Sequence, residues 1–172
     1  MTTPVRHRPT RARIGFAVVA LMLVGTILAV NQAAEAALAD GRSIDLRLLH
    51  LLLVYNPGAA FSLGAGLPAW VVLGVTGAIT AAVAFYGWRT SPTAPVTRRI
   101  GLAAILAGAL ANLLDRASDG VVTDYLHTGW FPTFNLADTL ITLGAGLLIL
   151  STLRHPKPSG PQDTTTAARP TD

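Results

Sequence analysis

LPAWVVLGVTGAITAAVAFYGW, residues 67–88, runs for 22 positions without a charged side chain. As a helix rising about 1.5 Å per residue it would reach roughly 33 Å, the thickness of a bilayer's hydrocarbon layer. Apolar on every side, it has no wet face to offer a soluble core, so it reads as a membrane span. Working outward, three further segments follow suit. The first runs from Ile14 to Val30 and continues in weaker form to Leu38, the third covers Ile100 to Leu114, and the fourth covers Phe134 to Leu153. The third is short for a span, and the fourth carries Asp138 within its first turns. Across the 172 residues, 51% are hydrophobic and only 13% charged, and the apolar residues come in runs rather than in alternation. The expected fold is therefore a single membrane all-α domain of four transmembrane helices.

Charge sets the expected orientation, because basic residues collect in short cytoplasmic segments. Arg6, Arg8, Arg11 and Arg13 precede span one, Arg89, Arg98 and Arg99 separate spans two and three, and Arg154, Lys157 and Arg169 follow span four. Only Arg42, Arg47 and Arg116 fall on the other side, which places both termini in the cytoplasm. The acids run the opposite way, with only Asp163 and Asp172 inside. The net charge of +4 thus follows from topology, and no nucleic-acid partner is expected. A competing reading takes RHRPTRAR, the apolar stretch and AALAD as a secretory signal cut after Ala39. Its apolar core of 17 residues is longer than such signals usually carry.

Three stretches lie outside the spans. Between spans one and two, Ile44, Leu46 and Leu48 alternate with Asp45 and Arg47, the period of a strand with one dry face. Asn56-Pro57-Gly58 turns the chain. With Phe61, Trp70 and the leucines of residues 48–53, the segment from about 40 to 66 should form a small β element on the outer membrane surface. Residues 89–99 read as a polar cytoplasmic linker. The expected organisation is a basic cytoplasmic N-terminus over residues 1–13, a membrane domain over 14–153, and a disordered cytoplasmic tail over 154–172, rich in Pro, Thr and Ser.

Polar residues gather at one level of the spans. Asn112, Asp115 and Arg116 stand at i, i+3 and i+4 and share a helix face at the outer end of span three. Asn135 and Asp138 are three apart at the outer start of span four, and Asp124 sits in VVTDYL, a stretch folding back toward the membrane. An ionised group in a bilayer costs at least a few kcal/mol, so Asp138 should face a partly wet pocket within reach of another carboxylate. Two carboxylates held together share a proton and titrate as a unit. Such a pair can activate a water against a peptide carbonyl and then protonate the leaving amine, with no thiol, metal or cofactor. That suits a chain without cysteine.

Each acid also has a plainer reading. Asp115 beside Arg116 makes an ion pair at a helix end; Asp119 is a turn residue. Asp138 is an N-terminal acid favoured by the helix dipole, and Asp124 is a loop acid facing water. His50 and His127 read as interfacial. His127 with Asp124 and Asp138 is too loosely spaced to define a metal site, so no metal is expected.

YNPGAAFS, ANLLDR, VVTDYL, FNLAD and the four-span plan, taken together over residues 14–153, resemble signal peptidase II, the lipoprotein signal peptidase family of the bacterial cytoplasmic membrane. The resemblance implies an aspartic endopeptidase that removes the signal peptide from diacylglyceryl-modified prolipoproteins, cutting before the lipidated cysteine in contact with membrane lipid; a monomer is expected. It implies Asp124 and Asp138 as the catalytic pair. It implies Asn56, Gly58, Asn112, Arg116 and Asn135 as residues that hold substrate or shape the pocket, with Asp115 structural. The segment from Asp40 to Gly66 would be the family's extracytoplasmic cradle. Some positions depart from the family pattern: NQAAE, residues 31–35, stands where the family has D-Q-x-T-K, so that Asn31 replaces an acid and Glu35 a lysine. Ala111 replaces a glycine and Thr123 an apolar residue. These departures leave open a non-catalytic relative that binds lipidated peptides. A small proton or ion transporter using Asp138 is the remaining alternative.

Overall fold

The computed structural model describes residues 9–57 and 66–154. Four helices carry the fold: α1 Pro9–Leu38, α2 Ala69–Thr90, α3 Val96–Asp119 and α4 Leu136–Arg154. Each is long and apolar enough to cross a membrane. Three strands, β1 Ile44–Asp45, β2 His50–Asn56 and β3 Val122–His127, form an antiparallel sheet in that order. The sheet meets the end of the bundle where α1 and α3 finish and α4 begins.

Several boundaries differ from expectation. α1 starts at Pro9, so part of the expected basic tail is helical; proline suits the first helical position because the missing N–H has no partner there anyway. α3 is 24 residues long and no short span, because its basic first turn and its polar last turns lower the hydropathy without breaking the helix. The linker between α2 and α3 shrinks accordingly to residues 91–95. In the sheet, the alternating pattern after Ile44 stops at Asp45. Arg47 takes a positive φ of 71° and its N–H donates to Asp45 Oδ1 at 2.6 Å, a local turn that ends the strand. The longer strand is the leucine run from His50 to Asn56. Gly58, Phe61 and the tail from residue 155 lie outside the described residues.

α3 is the central helix and packs against α1, α2 and α4. Its contact with α4 is close because small residues face each other. A Cβ added to Gly101 would stand 2.8 Å from Gly144 O, and one on Gly108 would stand 2.7 Å from Ile141 Cγ1 and run into Ala137 O. Lipid chains are as apolar as leucine, so such backbone approach supplies much of what holds membrane helices together. Val24 and Ile27 of α1, Ala107 and Ala111 of α3 and Ala137 of α4 form a buried cluster shared by three helices.

Two backbone features then aim the sheet at the bundle. Gly120, at φ 90°, caps α3 with its N–H on Arg116 O at 2.9 Å and turns the chain straight into β3. After β3 the chain loops and returns beside it, with Phe134 N donating to Leu126 O at 3.0 Å. This return delivers Asn135 and the start of α4 alongside Asp124.

Candidate active site

Asp124 sits mid-strand in β3 and Asp138 in the first turn of α4, and one residue touches both. Asn135 is the N-cap of α4: its Oδ1 accepts from Asp138 N at 3.0 Å, while Asp138 Oδ2 accepts from Asn135 N at 3.4 Å. This reciprocal arrangement is a capping box built from N-x-x-D. Asn135 is fully buried, and its Nδ2 is aimed at Asp124 Oδ1 at 3.0 Å, Asn112 Oδ1 at 3.0 Å and Thr123 O at 3.3 Å. Two amide hydrogens therefore serve three acceptors.

The remaining oxygens of the pair are also held. Asn112, one turn beyond Gly108 on α3, donates to Asp138 Oδ1 at 2.9 Å. Asn56, the last residue of β2, donates to Asp124 Oδ2 at 3.2 Å. Sheet register makes this contact possible: Val54 pairs with Asp124, and Asn56 lies two residues on, on the same face and diagonal to it. Asp124 is 2% exposed. Burial pushes its carboxyl up to about 7, and the nearby Asp138 adds to the rise, while Asn56, Asn135 and the Arg116 guanidinium pull the other way. Arg116 is itself buried.

Asp115 is directed elsewhere. Its Oδ2 accepts from Thr123 N at 2.8 Å, so it fastens β3 to α3 from behind. Asp119 Oδ1 accepts from Val121 N at 3.2 Å in the turn that follows α3. His50 and His127 pair across β2 and β3 at the far end of the sheet from Asp124, and His127 Nδ1 meets Thr133 Oγ1 at 3.2 Å. Among the described residues no three histidine, aspartate or glutamate side chains cluster to hold a metal ion.

Asn56, Asp124 and Asp138 line one cavity of about 530 Å³, whose other wall is mostly apolar: Trp130, Phe131 and Phe134 from the loop before α4, and Ile141 and Leu143 from α4 itself. The cavity thus sets two acids against a greasy groove that runs down the helix. Trp130 and Phe131 are not singled out by the spans or motifs above; the signal that could have found them is the GWFPTF run, residues 129–134, directly before the N-cap. The capping box was equally legible as N-x-x-D ahead of an apolar run.

A bundle of four helices long and apolar enough to cross a membrane, closed at one end by a small sheet, with Asp124 and Asp138 lining one largely apolar cavity, defines a multi-pass membrane protein. Residues 14–154 match the family described as signal peptidase (SPase) II, and the chain belongs to that family. Among its relatives, the lipoprotein signal peptidase of Sinorhizobium fredii is 44% identical over 114 residues, covering 64% of this chain and 68% of the relative. The lipoprotein signal peptidase of Brucella ovis is 41% identical over 121 residues, covering 67% and 75% respectively. Two solved structures, each described as a bacterial membrane enzyme, share the fold. One has a TM-score of 0.72 at 23% identity over 86% of this chain and 94% of the other, the second 0.69 at 24% over 82% and 94%. The chain is accordingly a multi-pass protein of the bacterial inner membrane.

Proposed function

We propose that this membrane protease, whose family membership makes it a processor of prolipoproteins, cuts by an aspartic mechanism with Asp124 and Asp138 as the catalytic pair. The observation that carries the reading is Asn135, which donates from its side chain to Asp124 and from its backbone to Asp138 and so holds two carboxylates on one cavity. With one proton shared between them, the ionised acid takes a proton from water as its oxygen attacks the scissile carbonyl. The protonated acid donates to the carbonyl oxygen, and as the tetrahedral diol collapses the first acid passes its newly gained proton to the leaving amine while the second takes a hydroxyl proton back, which regenerates the starting pair. Substrate carbonyl and water would complete a site whose amide donors already orient both carboxylates.

The groove suits the substrate that family membership implies. Its apolar wall suits a peptide whose new N-terminal cysteine carries diacylglycerol, with the acyl chains lying along Ile141 and Leu143 and the scissile bond at the acids. Asn112, Asn135 and Asn56 act as pocket residues by holding the pair, and Arg116 by its charge. Arg13, Arg89 and Arg98 lie over Trp88, Phe85 and Tyr86 at the opposite end of the bundle. Arginines collected at that end suit the cytoplasmic interface, which supports a reading with the acids on the extracytoplasmic side.

The test is cleavage of a diacylglyceryl-modified precursor by purified protein in detergent, with the cut located by mass spectrometry. Wild type should cut immediately before the lipidated cysteine, and Asp124→Asn and Asp138→Asn should each abolish cleavage while thermal unfolding shows both variants folded. Substantial cleavage by either variant would sink the aspartic mechanism.

A further inference from the structure

Two side chains of α1, remote from the cavity, take hold of β3 on either side of Asp124. Asn31 and Glu35 stand four apart and share one helix face. Along β3, Thr123 and Tyr125 point to one side of the strand and Asp124 to the other. Thr123 Oγ1 donates to Glu35 Oε1 at 2.8 Å, and the Tyr125 hydroxyl donates to Asn31 Oδ1 at 3.2 Å. Glu35 and Thr123, two of the departures from the family pattern, are thus bonded to each other.

Neither contact ends there. Thr123 N donates to Asp115 Oδ2 at 2.8 Å, so both donors of this residue go to carboxylates, one from α1 and one from α3. The Tyr125 hydroxyl accepts from Leu136 N at 3.2 Å. Leu136 opens α4 two residues before Asp138, so one hydroxyl joins α1, the strand carrying Asp124 and the helix carrying Asp138. Asn31, Thr123 and Tyr125 are at most 4% exposed. None of these side chains lines the cavity.

We infer that Tyr125 and the Glu35–Thr123 pair are positioning residues for the proposed acid pair, setting the spacing of Asp124 and Asp138 from behind the strand without touching substrate. The inference rests on the aspartic reading above. A shift of about 1 Å at reacting groups is enough to change a rate roughly a hundredfold, whereas a residue outside the cavity has no direct hold on substrate affinity. The signature is therefore a loss in kcat with KM unchanged.

The experiment compares Tyr125→Phe, Glu35→Leu and Glu35→Gln with wild type on the diacylglyceryl-modified precursor, in the same detergent. Tyr125→Phe and Glu35→Leu should lower kcat roughly ten- to a hundredfold at constant KM. Glu35→Gln keeps an acceptor for Thr123 and should restore most of the rate. Unchanged kcat in both Tyr125→Phe and Glu35→Leu overturns the inference, as does a loss confined to KM, or a Glu35→Gln variant as slow as Glu35→Leu. A second readout needs no turnover: titration of the Asp124 carboxyl by carbon-13 NMR, its resonance assigned by its loss in Asp124→Asn. Asp138, Arg116, Asn56 and Asn135 face that carboxyl, and Tyr125→Phe should move its midpoint by changing its distance to them. An unmoved midpoint overturns the positioning role whether or not the wild type cleaves, while a wild type that never cleaves overturns the protease mechanism alone.

Discussion

Gly108→Ala adds one methyl group at the tightest point between α3 and α4, and the structure says how far the helices must part. The new Cβ would lie 2.7 Å from Ile141 Cγ1 and 3.2 Å from the Ala137 carbonyl carbon, and would overlap Ala137 O. Carbon atoms pack at about 3.5–4.0 Å, so relief requires roughly 1 Å of separation at this level. A rotamer change can move Ile141, but Ala137 O is backbone and moves only with α4. One turn above, Asn112 Nδ2 donates to Asp138 Oδ1 at 2.9 Å and Asn112 Oδ1 accepts from Asn135 Nδ2 at 3.0 Å. Parting by about 1 Å carries both beyond hydrogen-bonding distance. Overpacking typically costs about 1–3 kcal/mol, against a gain of up to about 1 kcal/mol for alanine over glycine in a helix. The expected outcome is a modest net loss of stability and a fall in kcat of roughly a hundredfold. Gly146→Ala is the matched control: it sits on α4 with nothing within 4 Å of its added Cβ and should leave both quantities intact or raise the Tm slightly. Thermal unfolding and precursor cleavage in one detergent measure both variants. Wild-type kcat in Gly108→Ala, or an equal loss in Gly146→Ala, would refute the claim that this backbone approach sets the site.

Two further outcomes follow from the network. The Asp124 carboxyl is raised from 3.8 to about 7, chiefly by burial, so between those values the folded state holds a proton that the unfolded chain has released. The stability it contributes is full below about pH 4 and is lost as pH rises through about 7. The Tm of wild type should therefore fall between pH 5 and pH 8 more steeply than that of Asp124→Asn, and parallel curves would count against the burial argument. Asn135→Ala removes the N-cap of α4, about 1 kcal/mol, and the amide donor to Asp124, about 1.5–3 kcal/mol when that carboxylate is ionised. Asn135→Ser keeps a capping oxygen but no amide, so unfolding measurements should show part of the stability regained while the cleavage assay stays silent. Recovered cleavage in Asn135→Ser would show that the amide does not hold the pair.

Hydropathy alone was enough to identify the four crossings, since the cost of an unpaired polar group or charge in hydrocarbon acts on each residue wherever its neighbours lie. The N-x-x-D cap at the head of α4 was equally local, and so was the turn at Asp119. Tertiary structure decided which acids line one cavity. Spacing alone did not choose a partner for Asp138 among Asp115, Asp119 and Asp124; packing turned Asp115 onto Thr123 N and set Asp124 beside Asn135. Their partners come from far along the chain, with Asn56 and Asp124 separated by 68 positions and Asn112 and Asp138 by 26. No periodicity carries information over such gaps. The direction of a side chain at the site depends on how closely α3 approaches α4 and on the register of β2 with β3, and both are properties of segments packed together, not of any one segment.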